Sequence, residues 1–196
     1  MKKRVAEVRR KTVETDILIR LNVDGTGKRK IKTGMGFFDH MLDLFAKHGL
    51  FDLELKAKGD LHIDYHHTVE DVGISLGEAF KKALGDKAGI RRYGHFFVPM
   101  DETLMLVALD FSGRPHLEYQ VTSRRKRILN FDVQLLEEFL RAFVLHAGLT
   151  MHVKMFHGVN VHHIHEAIFK AMGKAMDIAT QVDPRVRGIP STKGVL

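Results

Sequence analysis

The period of the hydrophobic pattern switches between two and about 3.6 along the chain, and the sequence runs through that cycle twice. From Asp16 to Val23, residues Ile17, Ile19, Leu21 and Val23 fall on one face, which predicts a strand. Asp24-Gly25-Thr26-Gly27 reads as a turn. Phe37 to Lys47 reads as a short helix, with Gly49 where a left-handed residue often closes the C-terminus. Leu53, Leu55 and Ala57 then alternate with Glu54, Lys56 and Lys58, predicting a second strand. From His66 to Leu84, residues Val69, Val72, Leu76, Ala79 and Ala83 recur at helical spacing. In the second half, Leu104 to Asp110 is apolar on both faces and reads as a buried strand. Asp132 to Ala147 reads as a helix with Asp132 as N-cap, and Leu149 to Phe156 as a strand. His162 to Gln181 reads as a helix that ends near Pro184, and the tail from Gly188 to Gly194 as a loop.

The two cycles are copies of each other. Phe38-Asp39-His40-Met41-Leu42-Asp43-Leu44-Phe45 matches Leu136-Glu137-Glu138-Phe139-Leu140-Arg141-Ala142-Phe143, and His48-Gly49-Leu50 matches His146-Ala147-Gly148-Leu149. His66-His67-Thr68-Val69-Glu70 matches His162-His163-Ile164-His165-Glu166. This order predicts an internal duplication. The fold expected is α+β and two-layer: a single catalytic domain over 1–196, built from two pseudo-symmetric halves at about 1–90 and 91–196. Each half is a small sheet with helices on one face.

Composition narrows the chemistry. The chain has 196 residues, 44% hydrophobic and 28% charged, as in an ordinary globular domain. It has no cysteine, so a metal must be held by His, Asp or Glu. The N-terminus shows no signal-peptide pattern, and the longest apolar stretch, Leu104 to Leu109, is too short to span a bilayer, so a cytoplasmic protein with no membrane partner is expected. The net charge of +7 suits a basic surface, a nucleic-acid face or a site for an anionic small molecule. The basic runs Lys28-Arg29-Lys30 and Arg124-Arg125-Lys126-Arg127 fall in loop-like stretches without interleaved aromatics, which weakens the nucleic-acid reading.

The unusual count is 13 histidines, several in pairs. Successive helical residues are rotated by about 100°, so adjacent histidines do not readily share an ion. A Glu at i+4 lies on the same face as the first His. His66 with Glu70, and His162 with Glu166, can therefore each share a metal, which leaves His67 and His163 for a second ion or another subunit. Imidazole and carboxylate ligands suit zinc, iron or manganese. A catalytic ion with open positions favours manganese over a closed structural zinc site.

Five segments together resemble the imidazoleglycerol-phosphate dehydratase family of histidine biosynthesis: Gly36-Phe37-Phe38-Asp39-His40-Met41, His66-His67-Thr68-Val69-Glu70-Asp71, Ser112-Gly113-Arg114-Pro115, His162-His163-x-x-Glu166-Ala167 and Ile189-Pro190-Ser191-Thr192-Lys193-Gly194. The resemblance spans nearly the whole chain and implies a fold like domain 2 of ribosomal protein S5. It also implies a manganese-dependent hydro-lyase, with two Mn2+ per active site, that converts imidazole glycerol phosphate to imidazole acetol phosphate. The active sites would lie at interfaces of a 24-subunit shell, with no nucleic-acid partner. One metal would take His40, His67, His162 and Glu166. The other would take His66, Glu70, His163 and position 138, which is often His in the family and is Glu138 here. Glu14 is implied as a substrate-contacting acid/base, acting with the ligands His67, Glu70 and Glu166, and Glu102-Thr103 repeats Glu14-Thr15 in the second half. Arg92, Arg114, Lys170, Ser191, Thr192 and Lys193 are implied as substrate contacts through the phosphate. His146, His152, His157 and His165 match no family ligand and read as sheet-face or surface residues.

The chemistry is coherent with that set. The proton lost on dehydration is not acidified by a carbonyl, whereas a metal-bound imidazole ring loses its own proton readily. Held as imidazolate, the ring can expel the neighbouring hydroxyl. A nucleic-acid-binding module and a metallohydrolase are the competing classes.

Overall fold

The structure is a computed structural model that describes residues 3–196. In chain order the elements are β1 (Val5–Lys11), β2 (Thr15–Asn22), β3 (Arg29–Lys32), α1 (Gly36–His48), β4 (Asp52–Gly59), α2 (His66–Leu84), β5 (Tyr93–Met100), β6 (Thr103–Asp110), β7 (His116–Gln120), β8 (Arg127–Ile128), β9 (Phe131–Asp132), α3 (Leu135–Ala147), β10 (Thr150–His157) and α4 (Val161–Thr180). Two four-stranded sheets have the orders β1-β2-β4-β3 and β5-β6-β10-β7. Their pairings match as well: the last strand of each, β3 on β4 and β7 on β10, is parallel and the others antiparallel. The duplication in the sequence is therefore a duplication of topology, with the short β8–β9 hairpin added to the second copy.

The fold is α+β, and in each half helices cover one face of the sheet. α2 packs on β1 and β2, and α4 on β5 and β6. The halves interlock because α2 also packs along α3, and α4 along α1. Phenylalanine rings fill the joint: Phe45 lies 5.9 Å from Phe80 and 6.5 Å from Phe143, and Phe139 lies 5.6 Å from Phe169. Glycines at equivalent repeat positions let the helix backbones approach. A Cβ on Gly77 of α2 would sit 2.7 Å from the Phe143 carbonyl oxygen, and one on Gly173 of α4 would sit 2.5 Å from that of Phe45.

Several expectations change. α3 begins at Leu135, because Asp132 pairs with Arg127 across the β8–β9 hairpin and accepts the Gln134 N–H from outside the helix. Gly49 is right-handed (φ −82°), and Leu50 takes the left-handed conformation after α1; in the second copy Gly148 is the left-handed residue. Arg29 lies in a strand and not a loop: β3 is a charged edge strand, a device that discourages pairing with other chains. Arg127 likewise lies in β8. Leu104 to Asp110 is buried on one face only, since Leu104, Leu106 and Ala108 are half-buried on the outer face. That outer face also carries the exposed rings of Phe97 and Phe156, whose centroids lie 5.6 Å apart. The corresponding face of the first sheet is charged, with Arg20 bridging Glu7 and Glu54. No helix among the described residues is long and apolar enough to cross a membrane.

Candidate metal centre and catalytic site

The two His-His-x-x-Glu segments open α2 and α4. Asn160 caps α4 by accepting the His162 N–H at 2.9 Å, so the helix starts where the ligands start. One turn on, Glu166 comes round to the face of His162, and the His162 Nε2–H donates to Glu166 Oε2 at 3.0 Å. α1 runs beside α4 and brings in His40, whose Nε2–H donates to the same oxygen at 3.2 Å. The ligand atoms of His40, His162 and Glu166 all lie within 4.8 Å of one another. Glu166 is only 9% exposed. Burial works to raise its pKa, yet Lys170 Nζ at 2.7 Å and the two imidazoles outweigh it and hold the carboxyl at about 2. An ionised, nearly buried carboxylate with two imidazole nitrogens converging on it fits a divalent cation. The set draws one ligand from the first half and two from the second.

The duplicate set, Glu138 on α3 with His66 and Glu70 on α2, occupies equivalent repeat positions where those helices pack. Its donor atoms do not gather within 4.8 Å among the described residues.

His67 and His163 point away from these sets. The His67 Nδ1–H donates to Asp60 Oδ2 at 2.9 Å, and Glu14 lies 3.8 Å from the same nitrogen. Glu14, Asp60 and His67 form the second group of converging donors. Glu14 itself is exposed, in a turn whose backbone is held by Thr12 Oγ1. That turn is tied to α2 by Asp71, which accepts from Thr15 Oγ1 and from Arg10 Nε at 2.9 Å. The His163 Nδ1–H donates to Glu102 Oε2 at 2.9 Å, beside a cavity of 510 Å³ walled by Arg124 and Arg125. The hydrogen bond to the carboxylate raises the pKa of each of these histidines.

The residues implied for phosphate binding do not gather near the metal ligands within one chain. Arg92 gives Nε and Nη2 to Asp110 at 2.6 and 3.0 Å and Nη1 to the Pro190 carbonyl at 2.8 Å. It thereby anchors the segment bearing Ser191, Thr192 and Lys193, and its backbone N–H bonds the Ala179 carbonyl at the far end of α4. At a 1.5 Å rise per residue that end is roughly 25 Å from His162. Arg114 is linked to this end as well: its carbonyl accepts from Thr150 Oγ1, and Thr150 pairs with Asp110, the partner of Arg92. Lys170, paired with Glu166, is the exception.

Two features escaped the sequence. Asp60 carried no periodic or motif signal. His165 is not a surface residue: it is 2% exposed, neither ring nitrogen has a hydrogen-bond partner among the described residues, and burial lowers its pKa to about 4.

Comparison with known proteins is consistent across sequence and structure. The profile of the family described as imidazoleglycerol-phosphate dehydratase matches residues 33–176. The imidazoleglycerol-phosphate dehydratase of Caldanaerobacter subterraneus subsp. tengcongensis is 62% identical over 193 residues, 98% of this chain and 100% of the relative. That of Acetivibrio thermocellus is 62% identical over 190 residues, 97% of each chain. Among solved structures, the Staphylococcus aureus imidazoleglycerol-phosphate dehydratase superposes with a TM-score of 0.83 at 38% identity, covering 91% of this chain and 99% of that one. A ligand complex from Pyrococcus furiosus gives 0.83 at 39% identity, covering 96% and 100%.

Proposed function

The chain belongs to the imidazoleglycerol-phosphate dehydratase family, and from that premise we propose that it is a manganese-dependent hydro-lyase of histidine biosynthesis, with two metal centres built from its duplicated helices. The carrying observation is the convergence of His40, His162 and Glu166 from both halves. Three protein ligands leave coordination positions open, which favours a six-coordinate ion such as manganese. In this reading His67 of a neighbouring subunit completes that centre, and Glu138, His66 and Glu70 form the other with a neighbour's His163.

Two features support assembly as part of the site. His162 and Glu166 lie at the start of α4 whereas Arg92 and the segment it anchors lie at its far end, and the outer face of the second sheet exposes Phe97 and Phe156. A 24-subunit shell would bring one chain's Arg92 segment, Arg114 and Ser191-Thr192-Lys193 to another chain's metal ligands. A charged phosphate ester does not cross a bilayer, so we place the reaction in the cytoplasm.

Bound manganese would supply positive charge that stabilises a deprotonated imidazole ring. The protein's own groups do the rest. Arg114 and Lys193 offer cations to the phosphate, and Lys170 places a further one on the metal-facing side of α4. Glu14 is exposed on a tied-down turn, as suits a group that moves a proton on the glycerol side chain. Loss of a hydroxyl beside the ring and a proton from the next carbon gives an enol, which becomes the ketone. Metal analysis and light scattering test the assembly: two manganese ions per chain in a 24-mer are expected, and a metal-free monomer unaffected by chelator would contradict it.

A further inference from the structure

The second histidine of each pair is held in the same way. His67 and His163 both donate Nδ1–H to a carboxylate at 2.9 Å, from Asp60 and Glu102 respectively. An ionised carboxylate only accepts, so each contact fixes the Nδ1–H tautomer of the neutral ring and leaves the lone pair on Nε2. His40 and His162 also present Nε2 at the closed set.

The two carboxylates are not repeat equivalents. Asp60 follows β4, whereas Glu102 sits in the β5–β6 turn, and its counterpart in the first half is Glu14. Glu102 is fully engaged. Oε1 accepts the backbone N–H groups of Asn160 at 2.7 Å and Val159 at 3.1 Å, while Oε2 holds His163. One side chain thus ties the entry of α4 to the histidine beside it. In the first half Asp60 holds His67, and Glu14 stays 3.8 Å away, beyond hydrogen-bond reach.

We propose that Asp60 and Glu102 are positioning residues that set the Nε2 ligand tautomer of His67 and His163, and that duplication has divided the Glu14/Glu102 pair into a free acid/base glutamate and a buttress. The proposal rests on the reading of His67 and His163 as metal ligands. Carboxylates behind metal-bound histidines generally matter by about 10- to 100-fold in metal affinity.

The test has two arms. Long-range 1H–15N spectra of the metal-free protein report tautomers without any metal or mutation. His67 and His163 should both show Nδ1–H, and an Nε2–H form of either overturns the proposal. Manganese titration, with free Mn2+ read by electron paramagnetic resonance, then compares variants. Glu102→Met and Asp60→Leu should each weaken one class of site by about 10- to 100-fold. Glu102→Gln, which keeps an acceptor oxygen, should stay within about threefold of the native affinity, and Glu14→Gln should bind as the native protein does. Native affinity in both Glu102→Met and Asp60→Leu, or an equal loss in Glu14→Gln, overturns it. If the native protein binds no manganese, the metalloenzyme reading fails along with the buttressing role, even where the tautomers are as expected.

Discussion

Alanine at Gly173 tests how packing sets the metal centre. The new Cβ would lie 2.5 Å from the Phe45 carbonyl oxygen and 2.9 Å from the Gly49 nitrogen, both backbone atoms at the end of α1. Neither can rotate away, so α1 and α4 must part by roughly half an ångström or more. Overpacking of this kind costs about 1–3 kcal/mol, and the better helix propensity of alanine returns about 1 kcal/mol. The net is a loss of up to about 2 kcal/mol, a fall of up to about 8 °C in Tm for a chain this size. Because α1 carries His40 and α4 carries His162 and Glu166, the same shift opens the ligand set. Sites of this kind tolerate only about 0.5 Å, so manganese affinity should fall roughly tenfold. Urea unfolding of the metal-free chain and manganese titration read the two effects separately. Gly36→Ala, also on α1 but with nothing within 4 Å of its Cβ, is the control: it should leave metal affinity unchanged and should raise stability by up to about 1 kcal/mol through helix propensity alone. A Gly173→Ala protein with native stability and native metal affinity would refute the claim that this contact sets the site.

Other outcomes follow from the same geometry. His165→Leu removes two buried, unpartnered nitrogens and should raise stability by about 1–2 kcal/mol in urea melts; a destabilised variant would mean that the ring has partners in solution. Glu14→Gln should keep metal content and assembly while losing at least about 100-fold in kcat, the scale of general acid–base catalysis; unchanged turnover would remove Glu14 from the mechanism. Arg92→Met frees the Pro190 segment and should raise KM for the phosphate substrate more than it lowers kcat, which steady-state kinetics decide. Protons compete with metal for imidazole, and the carboxylates beside His67 and His163 raise their pKa, so manganese loading should begin to fall above the ordinary histidine pKa of about 6.5 and continue to fall as pH drops; loading that is flat down to about pH 5 by metal analysis would argue against histidine ligands.

What could be read in the sequence was local and repeated. The i, i+4 geometry of His162 and Glu166 follows from helix rotation alone, and α2 begins at His66 as its pattern predicts. His40 from the first half does converge on His162 and Glu166 from the second, as the repeat suggests. The strands β1, β3, β5 and β7 and the β8–β9 hairpin were not read. In β1 only Ala6 is buried, so charged neighbours mask the alternation. β5 contains Gly94 and Pro99, which read as breakers; yet it is an edge strand, where proline is tolerated, and a Cβ on Gly94 would sit 2.0 Å from the Ala175 carbonyl oxygen of α4. The pairings of Asp60 with His67 and Glu102 with His163 are tertiary contacts without a periodic signature. The burial of His165 was hidden for another reason: a histidine in a run of histidines looks like a ligand or a surface residue until the neighbouring elements close over it.

Turnover of imidazole glycerol phosphate with the metal stripped and then restored decides whether the protein is a metal-dependent dehydratase. No reaction is expected in the chelated protein. Addition of manganese should yield imidazole acetol phosphate, one per substrate consumed, with the phosphate still attached. Equal turnover without metal, or release of inorganic phosphate in place of the dehydrated ketone, would contradict it.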